Sequence, residues 1–360
     1  MKYEPYVGIT GLKSREDVNA MNQLFLYAGF FEPESNHTPM FGYLCSEKKM
    51  ANKSDTSGRG PSPNHLAELT ELAYPTVLTM VHYHTRNHDN LAEQIDEVFS
   101  LNKLYENNHC RALQLNVVWP RVSEVEKIMQ QYPEMEIVLQ LSKKAMDQPV
   151  EEILKQAQEY DHLVSYTLID PSGGKGIPFD VKNSVELMNQ LKRVMPTTRI
   201  GVAGGFSPQN VKERIKLIGE QFQKDFCIDA EGNLMVDNQL GYDKCSGYIS
   251  ESSSALGLPK NSDAYLGNNL ESVVKIQKKF VHAESPHLLI PINEFNPLSS
   301  KQLQQILELE YPFEDTDVID FGADKRFARR LTIAATCKDA EEKGLYEASE
   351  HYASEIDLEI

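Results

Sequence analysis

Two glycine-rich segments of this chain have the composition to hold an anion. They are Asp170-Pro171-Ser172-Gly173-Gly174-Lys175-Gly176 and Ala203-Gly204-Gly205-Phe206-Ser207-Pro208. Glycines let the backbone close on a ligand, and the amides of a following helix N-terminus point at it. Each segment follows a short apolar run and precedes a stretch of helical spacing, so two neighbouring turns can grip one phosphate. Lys175 is read as neutralising that anion rather than as a Schiff-base lysine. Neither segment has the GxxxxGK[ST] or GxGxxG spacing, which argues against nucleoside triphosphates and dinucleotides.

Titratable groups gather near the ends of other apolar runs. Asp170 closes one, and Asp229-Ala230-Glu231-Gly232 closes another. His82 and His84, with His88 nearby, alternate onto one face of a third. In a functional reading these histidines supply a general base, or bind a divalent metal together with Asp229. In a structural reading they are capping or hydrogen-bonded histidines beside Arg86, Asn87 and Asp89, and that reading is preferred for the metal. Trp119 is read as wall packing rather than as a stacking platform.

The elements that must position these groups follow a βα rhythm. Strands are expected at 6–11, 40–45, 76–82, 112–118, 136–141, 165–170, 199–203 and 226–230, with helical spacing between them. Ser14-Arg15-Glu16-Asp17 offers a serine cap with acids in the first turn, and Ser207-Pro208 a cap followed by proline. Eight units favour a closed (β/α)8 TIM barrel over an open doubly wound sheet. In such barrels a phosphate is commonly held by the loops after the last strands, on the face that carries the chemistry.

Two stretches break the rhythm: 46–64, and the Gly/Ser-rich 231–268. Both are expected to be long loops over the barrel mouth. The barrel itself is expected to span 1–284. Residues 285–360 read as a mixed C-terminal extension, packed on the barrel wall or at a subunit contact that would make the chain a homo-oligomer.

The formal charge of −17, from 36 basic and 53 acidic residues, argues against a nucleic-acid partner. No apolar run approaches the ~20 residues that a membrane span needs. The start of the chain lacks a basic segment followed by an apolar one, and the five cysteines are scattered without CxxC spacing. These features point to a cytoplasmic protein, without membrane, metal or cofactor.

Three motifs also resemble those of phosphoribosylanthranilate isomerase. Gly8-Ile9-Thr10-Gly11-Leu12 with Arg15-Glu16-Asp17 is similar to its KICGL…ED opening, and Leu168-Ile169-Asp170 with the following glycines and Phe179-Asp180 to its LLLD…GGTGxxFDW segment. Val202-Ala203-Gly204-Gly205-Phe206 with Ser207-Pro208-Gln209-Asn210-Val211 is similar to its LAGGLxPENV. The resemblance spans about 4–283. It implies a TIM barrel that binds a small phosphorylated substrate through Gly173, Gly174, Lys175, Gly176, Gly204, Gly205 and Gly232. It implies an Amadori rearrangement without cofactor, and it makes Asp170 the general acid. Thr10 stands where the family has its cysteine base, Gly8 replaces a lysine, and Val181 a tryptophan. Gln114-Leu115-Asn116-Val117 replaces QLHG, so Gln114 is a substrate-binding candidate. Arg59 corresponds to an arginine that meets the substrate carboxylate.

The sequence therefore reads as an isomerase for a phosphorylated pentose or a related small phosphate compound, of the aldose–ketose type. Its acid is Asp170 and its base is one of His82, His84 and Asp229. A lyase or hydrolase on a related phosphosugar, and a non-catalytic phosphometabolite-binding barrel, stand as rival readings.

Overall fold

A computed structural model describes residues 4–258, apart from 33–34, 52–57, 59, 75, 108, 172–179 and 223–224. The first half runs β1 (Tyr6–Thr10), α1 (Arg15–Tyr27), β2 (Thr38–Ser46), α2 (Glu47–Ala51), α3 (Leu66–Leu72), β3 (Leu78–His84), α4 (Leu91–Ser100), β4 (Ala112–Leu115) and α5 (Val122–Gln131). The second runs β5 (Glu136–Ser142), α6 (Lys143–Met146), α7 (Val150–Gln158), β6 (Tyr166–Asp170), α8 (Val181–Val194), β7 (Arg199–Ala203), α9 (Val211–Gln221) and β8 (Cys227–Ala230). A two-stranded sheet, β9 (Met235–Val236) with β10 (Gln239–Leu240), and the helix α10 (Tyr242–Leu256) follow.

Strands β1 to β8 pair in sequence order and close on themselves as a parallel barrel, with Gly8 of β1 opposite Asp229 of β8. The expected (β/α)8 architecture is the one found. Along each strand, alternate residues face inward and outward. Outward Tyr43 donates its hydroxyl to the Leu69 carbonyl of α3, and outward Tyr83 to Gln94 of α4. The inward set includes Tyr6, Met40, Met80, Ala112, Val138, Tyr166, Leu168 and Cys227, which pack as the barrel's apolar core. Burial of this size is the main force that holds such a barrel closed.

Local signals set the helix starts. Ser14 and Asp17 form a reciprocal capping box, with the Asp17 N–H on Ser14 Oγ at 3.1 Å and the Ser14 N–H on Asp17 Oδ2 at 3.0 Å. Asp180 caps α8 by accepting the N–H groups of Lys182 and Asn183. At α9 the regular helix starts later than the Ser207-Pro208 cap predicts. The Ser207 carbonyl takes the Asn210 and Val211 amides, and Asn210 is the capping position.

The expected loop at 231–268 is overturned over most of its described length. A 3-10 turn at Gly232–Leu234, the β9–β10 hairpin and α10 occupy it, and α10 supplies the helix after β8. Likewise 46–64 holds α2 and a 3-10 turn at Pro63–His65. Residues 259–360, including the expected extension, lie outside the described residues. By contacts, the barrel belongs to one unit, Met1–Leu24 with Asn36–Leu258. The described part of the second unit is the end of α1 and the turn after it, in which the Phe30 N–H meets the Phe25 carbonyl at 3.1 Å and the two rings stand edge to face.

Candidate active site

Above the apolar core the inward positions turn polar, strand after strand. Thr10 on β1, His82 on β3, Gln114 on β4, Gln140 on β5, Asp170 on β6 and Asp229 on β8 all occupy it, and every one is buried. Their place late in each strand puts them towards the C-terminal mouth, where barrels of this kind do chemistry.

Asp229 and Thr10 meet across the β8–β1 seam. The Thr10 hydroxyl donates to the Asp229 carboxylate, 2.9 and 3.1 Å from its two oxygens. Burial pushes the Asp229 carboxyl up to about 8; the Thr10 bond opposes the rise, and the Glu231 and Asp170 charges add to it. Gly8 leaves room for Met40 and for this carboxylate, because a Cβ there would stand 2.4 Å from Met40 Cε and 3.0 Å from Asp229 Oδ1. Asp229 is held by a neutral hydroxyl and keeps its proton further up the pH scale.

Asp170 is joined to a chain of carboxamides. Gln140 Nε2 donates to Asp170 Oδ2 at 2.7 Å, and Gln114 Nε2 donates to Gln140 Oε1 at 3.2 Å. Asp170 is 4% exposed. The Asp170 charge is felt at Asp229, so the two carboxyl groups act on one electrostatic site.

His82 lies beside Gly42 of β2. A Cβ on Gly42 would sit 2.3 Å from Thr10 Oγ1 and 2.8 Å from His82 Nε2, so the glycine is what lets hydroxyl and imidazole approach. Burial lowers the His82 imidazole to about 3, which keeps it neutral through the physiological range. His84, at the end of β3, is exposed, with Nδ1 3.0 Å from the Asn116 carbonyl. Trp119 stacks on Tyr160 and donates to Gln148, which is the wall role expected of it.

The β7 exit turn is well defined. Gly204 and Gly205 have φ of +92° and +66°, a backbone region open chiefly to glycine. Asn210 donates to the Gly205 carbonyl at 2.9 Å and accepts the Ser207 N–H at 3.0 Å, while Arg214 reaches the same carbonyl at 3.1 Å. Gly232 opens the 3-10 turn directly after β8. Gly173, Gly174, Lys175, Gly176 and Arg59 lie outside the described residues. Among the described residues no group of three or more His, Cys, Asp or Glu side chains is placed to hold a metal ion, and no helix is long and apolar enough to cross a membrane.

Sequence reasoning missed Gln140 and Gly42. The signal for Gln140 is a polar residue in phase with inward Val138 inside an apolar strand, and that for Gly42 is its register opposite Thr10.

Fold and lining together define a (β/α)8 barrel whose mouth carries two buried carboxyl groups and a neutral imidazole. Residues 92–233, from α4 to just beyond β8, match the sequence profile of N-(5'phosphoribosyl)anthranilate (PRA) isomerase. The chain thus has a divergent barrel similar to that of phosphoribosylanthranilate isomerase. Similar solved structures include phosphoribosyl anthranilate isomerase from Thermotoga maritima, with 17% identity, a TM-score of 0.48, and 69% of this chain and 99% of that one covered. Those from Thermus thermophilus (14%, 0.46, covering 70% and 98%) and Pyrococcus furiosus (12%, 0.45, covering 69% and 99%) are further examples. No curated protein sequence matches the chain.

Proposed function

We propose that this barrel isomerises a phosphorylated pentose by acid/base catalysis, with an N-linked ribose 5-phosphate such as phosphoribosylanthranilate as substrate. The Thr10–Asp229 contact carries the reading, because it supplies a base at the position where the family motif has cysteine. Asp170 protonates the ring oxygen as the C1–O bond breaks, leaving an open-chain iminium ion. Asp229, as carboxylate, takes the proton from C2 and gives the enolamine, which returns to a ketone by gaining a proton at C1 and losing the hydroxyl proton at C2. A carboxylate with its pKa lifted towards the working pH is a far stronger base than an ordinary aspartate. Thr10 orients that carboxylate, and it has no acid/base work of its own. His84 is bonded to a main-chain carbonyl and His82 is a weak base, so neither rivals Asp229. The phosphate is assigned to the turns carrying Gly204, Gly205 and Gly232, and Gly173, Gly174, Lys175 and Gly176 are further candidates from the sequence.

The test is turnover of phosphoribosylanthranilate, followed by loss of its fluorescence. Asp170→Asn and Asp229→Asn are each expected to slow the reaction by about 10²-fold or more. The wild-type rate is expected to climb with pH up to about 8, as Asp229 loses its proton. No turnover by the wild type would remove this substrate. A fully active Asp229→Asn variant would remove Asp229 as base.

A further inference from the structure

Two buried polar atoms in the ring are unmet, and the chemistry around them says what they face. His82 and Gln114 are paired across the β3–β4 ladder, each is 3% exposed, and neither His82 Nε2 nor Gln114 Oε1 has a hydrogen-bond partner among the described residues. Buried polar atoms without partners are uncommon and destabilising, so a site that keeps two side by side is built for something that fills them.

The polarity of each atom can be worked out. Gln140 turns its amide nitrogen to Asp170 Oδ2, which presents its Oε1 to Gln114. Gln114 must then donate its own Nε2, which leaves Gln114 Oε1 as a bare acceptor. On the other side, the Thr10 hydroxyl spends its proton on Asp229, and His82 Nε2 lies across the gap over Gly42. The neutral His82, in the tautomer that carries its proton on Nε2, offers a donor there. One donor and one acceptor therefore stand on adjacent strands. A carbonyl cannot donate to Gln114 and an ammonium cannot accept from His82, whereas an alcohol does both.

We propose that His82 and Gln114 form a hydroxyl-binding subsite on the β3–β4 wall, which takes a secondary alcohol of a sugar phosphate: the alcohol accepts from His82 Nε2–H and donates to Gln114 Oε1. The identity of the ligand rests on the sugar-phosphate reading above, but not on the isomerisation step. Through Gln140 the subsite is linked to Asp170, so filling it also fixes the orientation of the amide that holds that carboxyl.

Calorimetric titration tests this without reference to turnover. Ribose 5-phosphate, its 2-deoxy and 3-deoxy analogues and inorganic phosphate are compared on the wild type, His82→Leu and Gln114→Met. The wild type is expected to bind ribose 5-phosphate about 10-fold or more tighter than at least one deoxy analogue, the discrimination usual for a hydroxyl whose loss leaves buried partners unpaired. In both variants that ratio should fall below about 3-fold with phosphate affinity unchanged. Should a variant fail to fold, the wild type still decides: ribose 5-phosphate must move the His82 Nε2 nitrogen resonance and inorganic phosphate must not. Equal binding of all analogues by the wild type, discrimination that survives both substitutions, or a still resonance overturns the subsite. Discrimination in a protein that does not turn over phosphoribosylanthranilate would keep the subsite and sink only the proposed reaction.

Discussion

Asp229 sets a conflict between stability and proton transfer within one side chain. Its folded pKa of about 8 stands far above the ordinary aspartate value of about 3.9 that the unfolded chain shows. Between those values the folded state holds a proton that the unfolded state has released. The contribution of Asp229 to stability is therefore fully present below about pH 4, declines as pH rises, and is gone above about 8. Asp229→Asn keeps the shape and removes the titration. It should be more stable than the wild type at pH 8, by up to about 5 kcal/mol for a shift of this size, while losing activity. Urea midpoints at pH 5 and pH 8 for both proteins check this, and parallel curves would show that Asp229 is not held protonated by burial. Thr10 was visible in the sequence only as a departure from a motif. Its role came into view with the register that sets β1 against β8, a pairing across 219 positions of chain that no local pattern carries.

At the scale of elements, the β7 exit turn links backbone geometry to ligand affinity. The Gly205 carbonyl is fixed by Asn210 and by Arg214, whose guanidinium also lies over the Phe206 ring. Asn210→Ala frees one of these anchors and the Ser207 amide together. If the turn holds phosphate, KM should rise by about 5- to 10-fold with kcat little changed, because a positioning bond contributes about 1 kcal/mol. An unchanged KM would move the phosphate to the other turns. The strands were legible at this scale, since apolar runs bounded by turn formers placed all eight to within a few residues. The last helix was not. Its Ser250-Glu251-Ser252-Ser253-Ser254 and Gly247 read as a loop by composition, yet Cys245, Tyr248, Ile249, Ser252 and Ser253 are buried at helical spacing. Their smallness serves packing: a Cβ on Gly247 would stand 2.9 Å from Pro208 in the turn before α9. Small residues at an interface look like flexibility until the neighbour is known.

For the whole molecule, charge and ligand have the same sign. The protein carries −17 and the proposed substrate is a phosphate, so the long-range field opposes encounter. Repulsion of this kind is screened over a Debye length that shrinks from ~30 Å at 0.01 M salt to ~10 Å at 0.1 M. For a phosphorylated substrate, kcat/KM should therefore rise by about 2-fold or more between these concentrations. An enzyme that steers its ligand shows the reverse. The comparison also reads the role of Lys175. A fall in kcat/KM with salt would mean that cations at the mouth dominate the local potential, and Lys175→Gln would then abolish the fall. A rise that Lys175→Gln leaves unaltered would mean that backbone amides alone hold the phosphate once the substrate has crossed a repulsive field.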